Sequence, residues 1–137
     1  LLLRSRGRLA ATTRPALAAV AAVVASEVGA KLAMATLASL SEPSHEGFGA
    51  AMINGNEPVD LLVAVSTVIP IALVVVPITA VGLLAAFAVA LLVQRWAQQT
   101  LGGVGGDVFG ATNELARVVA LHAAVAAWYL GGSAWTL

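Results

Sequence analysis

Long apolar segments set the strongest constraint on how this chain can fold. Four stretches consist mostly of apolar residues, near residues 15–40, 59–75, 78–96 and 113–131. About 20 consecutive apolar residues suffice for a helix to cross the hydrocarbon core of a bilayer. A helix also satisfies its backbone hydrogen bonds internally, which lipid requires. The sequence therefore predicts an all-α integral membrane protein, a single unit with about four transmembrane helices.

Composition agrees with lipid as the main solvent. Of the 137 residues, 60% are hydrophobic and 10% are charged, whereas soluble domains carry about 25% charged residues. The formal net charge is zero, so no general attraction to nucleic acid is expected. Cysteine is absent, which removes disulfides and thiolate metal sites. We expect the lipid bilayer as a partner and no nucleic acid, and a homo-oligomer is left open.

Two prolines divide the long apolar region 59–96, which exceeds one comfortable span. Pro77 is predicted to mark a turn and Pro70 a kink, because proline interrupts the helical hydrogen-bond ladder. Before this region, residues 41–58 are polar and contain several glycines and prolines, as expected of a loop. Two spans separate that loop from the glycine-rich stretch that begins near Gly102. The two polar loops are therefore predicted to lie on the same side of the membrane.

Ionisable residues inside or beside these spans are candidates for function. Glu27 and Lys31 lie in the first span at i,i+4 spacing, so they can pair on one helix face. Such a pair either fixes helix packing or lines a polar cavity, since ionisable residues within membranes are often functional. In the loop, His45 and Glu46 form a titratable pair before the flexible Gly47. Their alternative interpretation is an ordinary solvated loop.

The glycine-rich stretch is the segment best suited to chemistry. Four glycines precede Asp107, and Glu114 follows seven residues later. A helix starting near Gly103 would place small residues and both acids on one stripe, consisting of Gly103, Asp107, Gly110, Ala111 and Glu114. Mg²⁺ favours one or two carboxylates together with phosphate oxygens, so this stripe is a candidate site for phosphoryl chemistry. Close helix packing, with Asp107 as a helix cap, is the alternative. The Gly-Lys-Ser/Thr ending of a P-loop is absent.

The spacing of this stretch resembles a known family. Residues 101–115 read Leu-Gly-Gly-x-x-Gly-Asp-x-x-Gly-Ala-x-x-Glu-Leu, which is similar to the C-terminal signature of cobalamin synthases, the adenosylcobinamide-GDP ribazoletransferases. A second match runs from Ser-x-x-x-Ala-Lys at residues 26–31 to His-Glu-Gly-Phe-Gly-Ala at residues 45–50. Departures from the family pattern lie at Gly105, Gln98, Gln99 and Arg117. The resemblance covers the C-terminal half of a family member and implies that this chain is a fragment.

The resemblance implies a Mg²⁺-dependent enzyme of the last steps of cobalamin biosynthesis. It would join adenosylcobinamide-GDP to α-ribazole, or to its 5′-phosphate, and release GMP. Asp107 would hold the metal, with Glu114 as a second ligand or an orienting residue, and His45 or Glu46 would assist catalysis. Backbone access to the substrate phosphates would come from Gly102, Gly103, Gly105 and Gly106. The family's N-terminal His-Leu-Asp-Gly-type motif is absent here, so the chain alone is expected to be inactive.

Membrane orientation is a point of conflict. The resemblance implies a multi-pass protein of the cell membrane whose substrates, and therefore active face, are cytoplasmic. Basic residues favour the cytoplasmic side of a membrane, yet the N-terminal arginines are predicted to lie opposite the two loops; these are Arg4, Arg6, Arg8 and Arg14. We give the location of the substrates more weight than the arginines and expect the two loops on the cytoplasmic side. Alternatives of other classes are a transporter or channel-like bundle and a non-catalytic membrane subunit.

Overall fold

Helices make up all the regular structure of the described part of the chain. The computed structural model describes the backbone of residues 2–74 and 76–131 and the side chains of residues 14–73 and 78–131. Within these limits the helices are α1 (Leu2–Leu40), α2 (Phe48–Asn54), α3 (Pro58–Val74), α4 (Val76–Leu101) and α5 (Gly106–Gly131). The side chains of Arg4, Arg6 and Arg8 lie outside the described residues, as does Gly132, which was expected to help end the last helix.

Three helices, α1, α4 and α5, pack closely against one another through small residues. Buried alanines dominate their shared core, including Ala33, Ala86 and Ala120. Glycines permit the closest approaches, since a Cβ added at Gly29 would lie 2.8 Å from the Cβ of Ala86. Small residues at such contacts let helix backbones approach and gain dispersion energy. This core positions the ends of α1 and α5 that form the candidate site.

Two helix starts differ from the sequence expectation. α1 begins at Leu2 instead of near residue 15, so the arginine-rich connector is helical and Pro15 lies inside the helix. Arginine, leucine and alanine are good helix formers, which explains the extension. α5 begins at Gly106 instead of residue 113. Phe109, Thr112 and Ala116 are buried at helical spacing, and their burial stabilises the first three turns of α5.

Only part of the predicted membrane topology is evident from helix length and composition. Among the described residues, Arg14–Leu40 and Ile78–Leu101 are long and apolar enough to cross a membrane. A third span results if α2 and α3, which bend by 86° at a short break, act as one. The described part of α5 does not qualify. Its polar residues include Asp107, Glu114 and Arg117, and charged side chains are costly in a lipid-facing helix.

The turn predicted near Pro77 falls at the boundary between α3, which ends at Val74, and α4, which begins at Val76 and includes Pro77; Val75, between them, lies outside the described residues. Pro70 lies inside α3. The polar segment 41–58, in contrast, is not simply a loop, because it contains α2. Met52 and Ile53 on α2 pack against the core cluster. Their burial explains why this segment folds back onto the helices.

Candidate functional site

The two polar connections meet at one end of the helical core. Residues Pro43 and Val104 form an isolated parallel bridge. The Val104 N–H donates to the Glu42 carbonyl at 2.8 Å, and the Ser44 N–H donates to the Val104 carbonyl at 3.3 Å. Val104 itself is fully buried. The segment before α2 and the segment before α5 are therefore held together by backbone hydrogen bonds as well as by apolar packing.

Gly103 and Gly49 make this junction possible. Gly103 has φ of +152°, and a Cβ added there would lie 2.7 Å from the Glu42 carbonyl oxygen and the Ser44 nitrogen. A Cβ at Gly49 would lie 2.8 Å from the Gly105 backbone. Gly103 precedes α5, so the stripe predicted from a helix start near Gly103 is wrong at its first position. Gly103 instead allows the segment before α5 to pack against the backbone of residues 42–44.

A polar cavity of about 320 Å³ opens beside the junction. Its lining includes Ser44, His45, Gly105 and Asp107. The Ser44 Oγ lies 2.8 Å from His45 Nδ1, in a hydrogen bond whose donor depends on the imidazole tautomer. A Cβ at Gly105 would lie 2.9 Å from His45 Cε1, so this glycine makes room for the ring. The structure thus brings two predicted catalytic residues, His45 and Asp107, to one cavity.

Asp107 has the only carboxylate that lines this cavity within the described part of the chain. It lies in the first turn of α5, where the helix dipole favours negative charge. Its carboxylate forms no hydrogen bond or ion pair with the side chains of residues 14–73 and 78–131. A second, mainly apolar cavity of about 520 Å³ between α4 and α5 also reaches Asp107, next to Trp96 and Ala111. This carboxylate is therefore available to a ligand from two directions.

The remaining predicted loop residues lie around the cavity. Glu46 is exposed and is absent from the cavity lining. Gly102 is exposed with φ of +71°, and an added Cβ would meet nothing within 4 Å. Gly106 is the first residue of α5 and is half-buried. The backbone is thus open to solvent at Gly102, whereas the buried Gly103 is used for packing.

Glu114 belongs to a separate charged network between α1 and α5. Arg117 Nη1 donates to both Glu114 carboxylate oxygens, at 2.7 and 2.8 Å. The same guanidinium pairs with Glu27, with Nε 2.8 Å from Oε1 and Nη2 donating to Oε2 at 3.3 Å. Arg117 Nε forms no hydrogen bond, so its contact with Glu27 Oε1 is an ion pair only. Asn113 donates to Glu114 at 3.0 Å and accepts from Lys31 Nζ at 3.3 Å.

The structure therefore does not pair Glu27 with Lys31, as their i,i+4 spacing had suggested. Both side chains reach across to α5, where Arg117 and Asn113 are nearer partners. Glu114 is seven residues from Asp107, about 10 Å along a helix, and its carboxylate is occupied by Arg117. Among the described residues, no group of three His, Asp or Glu side chains is arranged to hold a metal ion. The two acids of the glycine-rich stretch thus have different surroundings.

Sequence reasoning did not assign roles to Ser44, Asn113 or Arg117. Ser44 stands next to His45, and a hydroxyl adjacent to a titratable ring is a usable signal. Arg117 follows Glu114 by three residues, a spacing at which opposite charges meet on a helix. Its second partner, Glu27, is ninety residues away in sequence, and no local pattern indicates it.

Comparison with known proteins identifies the family. Residues 2–125 match the sequence model of the cobalamin-5-phosphate synthase family. The chain belongs to this family. Three similar proteins are each named adenosylcobinamide-GDP ribazoletransferase. They come from Halorubrum lacusprofundi, 50% identical over 77% of this chain, Haloquadratum walsbyi, 40% identical over 79%, and Halobacterium salinarum, 44% identical over 90%.

This member of the cobalamin-5-phosphate synthase family spans only part of the length of those relatives. The aligned region covers 42% of the Halorubrum protein, 44% of the Haloquadratum protein and 63% of the Halobacterium protein. No solved structure matches the chain. The family match includes the whole junction and cavity described above, so the polar end of the helical core is part of the shared family region.

The junction glycines lead to a stability prediction within this family member. Gly103→Ala is expected to destabilise the fold by about 3 kcal/mol, because it combines backbone strain with a clash against fixed backbone atoms. Thermal unfolding of the purified chain in detergent measures the effect. Gly102→Ala is the matched control, since its positive φ costs about 1 kcal/mol without any clash. Equal losses for the two variants would contradict the role given to Gly103.

Proposed function

We propose that this chain forms part of an adenosylcobinamide-GDP ribazoletransferase. The enzyme joins adenosylcobinamide-GDP to α-ribazole, or to α-ribazole 5′-phosphate, and releases GMP. A hydroxyl oxygen of the ribazole attacks the phosphorus that carries cobinamide, and the bond from that phosphorus to the oxygen of GMP breaks. Family membership over residues 2–125 supports this reaction. It does not favour a transporter or a non-catalytic subunit.

The free carboxylate of Asp107 beside His45 is the observation that carries the proposal. Phosphoryl transfer needs groups that position the diphosphate and neutralise developing charge. It also needs a group that accepts the proton of the attacking hydroxyl. When His45 Nδ1–H donates to Ser44 Oγ, the unprotonated Nε2 is left to accept that proton. Ser44 would then position the base, and Glu46 remains a candidate that has no contact with the cavity.

Magnesium fits this site only in part. Asp107 offers one free carboxylate, and Mg²⁺ is commonly held by one or two carboxylates together with substrate phosphate oxygens and water. The ion would supply neutralisation of negative charge on the diphosphate. Asp107 is the residue we assign to hold it. Glu114 is bound on both oxygens by Arg117, so we assign it to orienting the α1–α5 network.

The backbone near Asp107 would approach the substrate phosphates. Gly102 is exposed, and the first N–H groups of α5, beginning at Gly106, have no partner within their own helix. Such groups favour anions. Gly105 would contribute mainly by admitting the His45 ring. Diphosphate binding would thus be divided between backbone donors and the Asp107 site.

The membrane arrangement follows from the same proposal. We assign spans to α1, to α2 with α3, to α4 and to α5, which gives a multi-pass protein of the cell membrane. The two polar connections then lie on one side, and the cavity between them faces the cytoplasm, where both substrates are available. The charged network of α5 would face protein or water, because lipid contact is costly for charged groups.

Release of GMP from adenosylcobinamide-GDP is the decisive assay. Because the chain spans less than two thirds of its relatives, we expect activity from a chimera in which it replaces the segment that it matches in the Halobacterium salinarum protein. The purified 137-residue chain is expected to be inactive alone, as its described residues lack a complete metal site. A folded chimera that releases no GMP, while the parental protein does, would refute the proposed function.

A further inference from the structure

A groove between α1 and α3 combines an apolar wall with two charged side chains. Its volume is about 480 Å³, within the range of small-molecule sites. Apolar side chains from both helices line it, among them Val28, Leu32, Val68 and Ile71. Its charged members are Glu27 and Lys31. The groove shares no lining residue with the polar cavity at Asp107.

Lys31 stands at the positive end of the α1–α5 charged network. It is the only lysine in the sequence. Arg117 lies between the two carboxylates of Glu27 and Glu114, whereas the Lys31 ammonium contacts the neutral Asn113 amide at 3.3 Å. The network holds two positive and two negative side chains and is neutral as a whole. Both carboxylates contact Arg117, so neither of them pairs with Lys31. No carboxylate among the described side chains forms an ion pair with Lys31.

The position of Lys31 makes an anionic partner favourable. Lys31 lies within the candidate span Arg14–Leu40, nine residues or about 14 Å from its polar end. An ammonium group at such a depth is costly unless water or an anion accompanies it. The Asn113 amide is held by its bond to Glu114, so it presents only an oxygen dipole to the ammonium. A phosphate oxygen would give the ammonium a charged acceptor in place of that neutral amide.

We propose that this groove binds the nucleoside co-substrate, with Lys31 on its 5′-phosphate and the apolar wall against its aromatic base. This inference rests on the proposed ribazoletransferase function. Asn113, which contacts Lys31, is six residues from Asp107, about 9 Å along the axis of α5. In this proposal the ribose hydroxyl of the nucleoside extends along α5 towards the cavity at Asp107. Lys31 is thereby a specificity-determining residue that selects the phosphorylated nucleoside over α-ribazole.

Kinetics with the two nucleosides test the assignment in the Halobacterium chimera. Lys31→Gln is expected to raise KM for α-ribazole 5′-phosphate by about 10- to 100-fold, the loss of one charge-assisted hydrogen bond. KM for α-ribazole should change by less than about twofold on the same scale. Lys31→Arg keeps the charge and should retain most of the preference. Arg95→Gln, an exposed charge loss on α4, controls for general effects.

Other outcomes would overturn the inference. An equal rise in KM for both nucleosides would show a structural role for Lys31, and no rise in either would show no role in binding. Anionic phospholipid is a competing source of phosphate. If vesicles rich in anionic lipid inhibit the wild type but not Lys31→Gln, while KM for the phosphorylated nucleoside is unchanged, then Lys31 binds lipid headgroups instead.

A binding measurement separates this inference from the proposed function. Equilibrium dialysis of α-ribazole 5′-phosphate against the chimera requires no turnover. Binding of the 5′-phosphate that is about 10- to 100-fold tighter than binding of α-ribazole, and that loses this advantage in Lys31→Gln, supports the groove even if GMP release fails. Equal binding of both nucleosides to the wild type would refute it even if GMP release succeeds.

Discussion

Asp107→Asn is expected to lower the rate of GMP release by the chimera by about 1,000-fold, equivalent to about 4 kcal/mol of transition-state stabilisation. The substitution keeps the size of the side chain but removes the charge that the proposed Mg²⁺ and diphosphate require. Folding should be little affected, because this carboxylate makes no bond within the described side chains. Single-turnover assays at saturating substrate, with a Mg²⁺ titration, measure the loss.

Glu57→Gln is the matched control for this variant. Glu57 is an exposed acid of the same polar region, and only its backbone takes part in the hydrogen bonds that begin α3. Its removal should leave GMP release and the Mg²⁺ dependence unchanged. Asp107→Glu keeps the charge but moves it, so it is expected to retain more activity than Asp107→Asn. Turnover like that of the wild type in Asp107→Asn would exclude the metal-holding role.

The helical framework was largely accessible from the sequence, because it depends on apolar segment length and on prolines. The boundary between α3 and α4 falls close to Pro77, where a residue that lacks a backbone donor is expected to interrupt a helix. The start of α5 was predicted too late, because the glycines before residue 113 suggested a loop. The first turns of α5 contain Gly106 and Gly110, yet Phe109 is 1% exposed. Burial of that ring against the core outweighs the entropic cost of the glycines.

The candidate site was accessible only in outline. Counting spans placed His45 and Asp107 on one side, and the structure brings both to one cavity. The partners of Glu27 and Lys31 depend on how α1 and α5 are rotated relative to each other. No short stretch of sequence determines that rotation. At i,i+4 spacing, Glu27 and Lys31 suggested a pair within one helix. Arg117 presents a forked guanidinium to two carboxylates at once, and this geometry decides the pairing for Glu27.

If α5 spans the bilayer as proposed, Arg117→Met is expected to destabilise the chain in a bilayer by clearly more than Arg95→Met, because two carboxylates would then lie at membrane depth without their cation. Arg117 is 30% exposed in this structure, and Glu27 is 52% exposed. In water, such exposed pairs contribute at most about 1 kcal/mol. The size of the stability loss in Arg117→Met therefore shows whether α5 is surrounded by water or lies within the membrane. Reversible unfolding in bilayers, for example by steric trapping, measures it.

A double-mutant cycle assigns the loss to the network. Glu27→Gln added to Arg117→Met should recover about 1 kcal/mol or more, since one of the two unpaired charges is then removed. Arg95→Met at the end of α4 is the control for loss of a charge outside the network. If Arg117→Met costs no more than Arg95→Met, water surrounds the network, and α5 does not place it within lipid. A large, partly recoverable loss instead requires α5 to lie at membrane depth, where its polar face must be turned towards protein or an aqueous cavity.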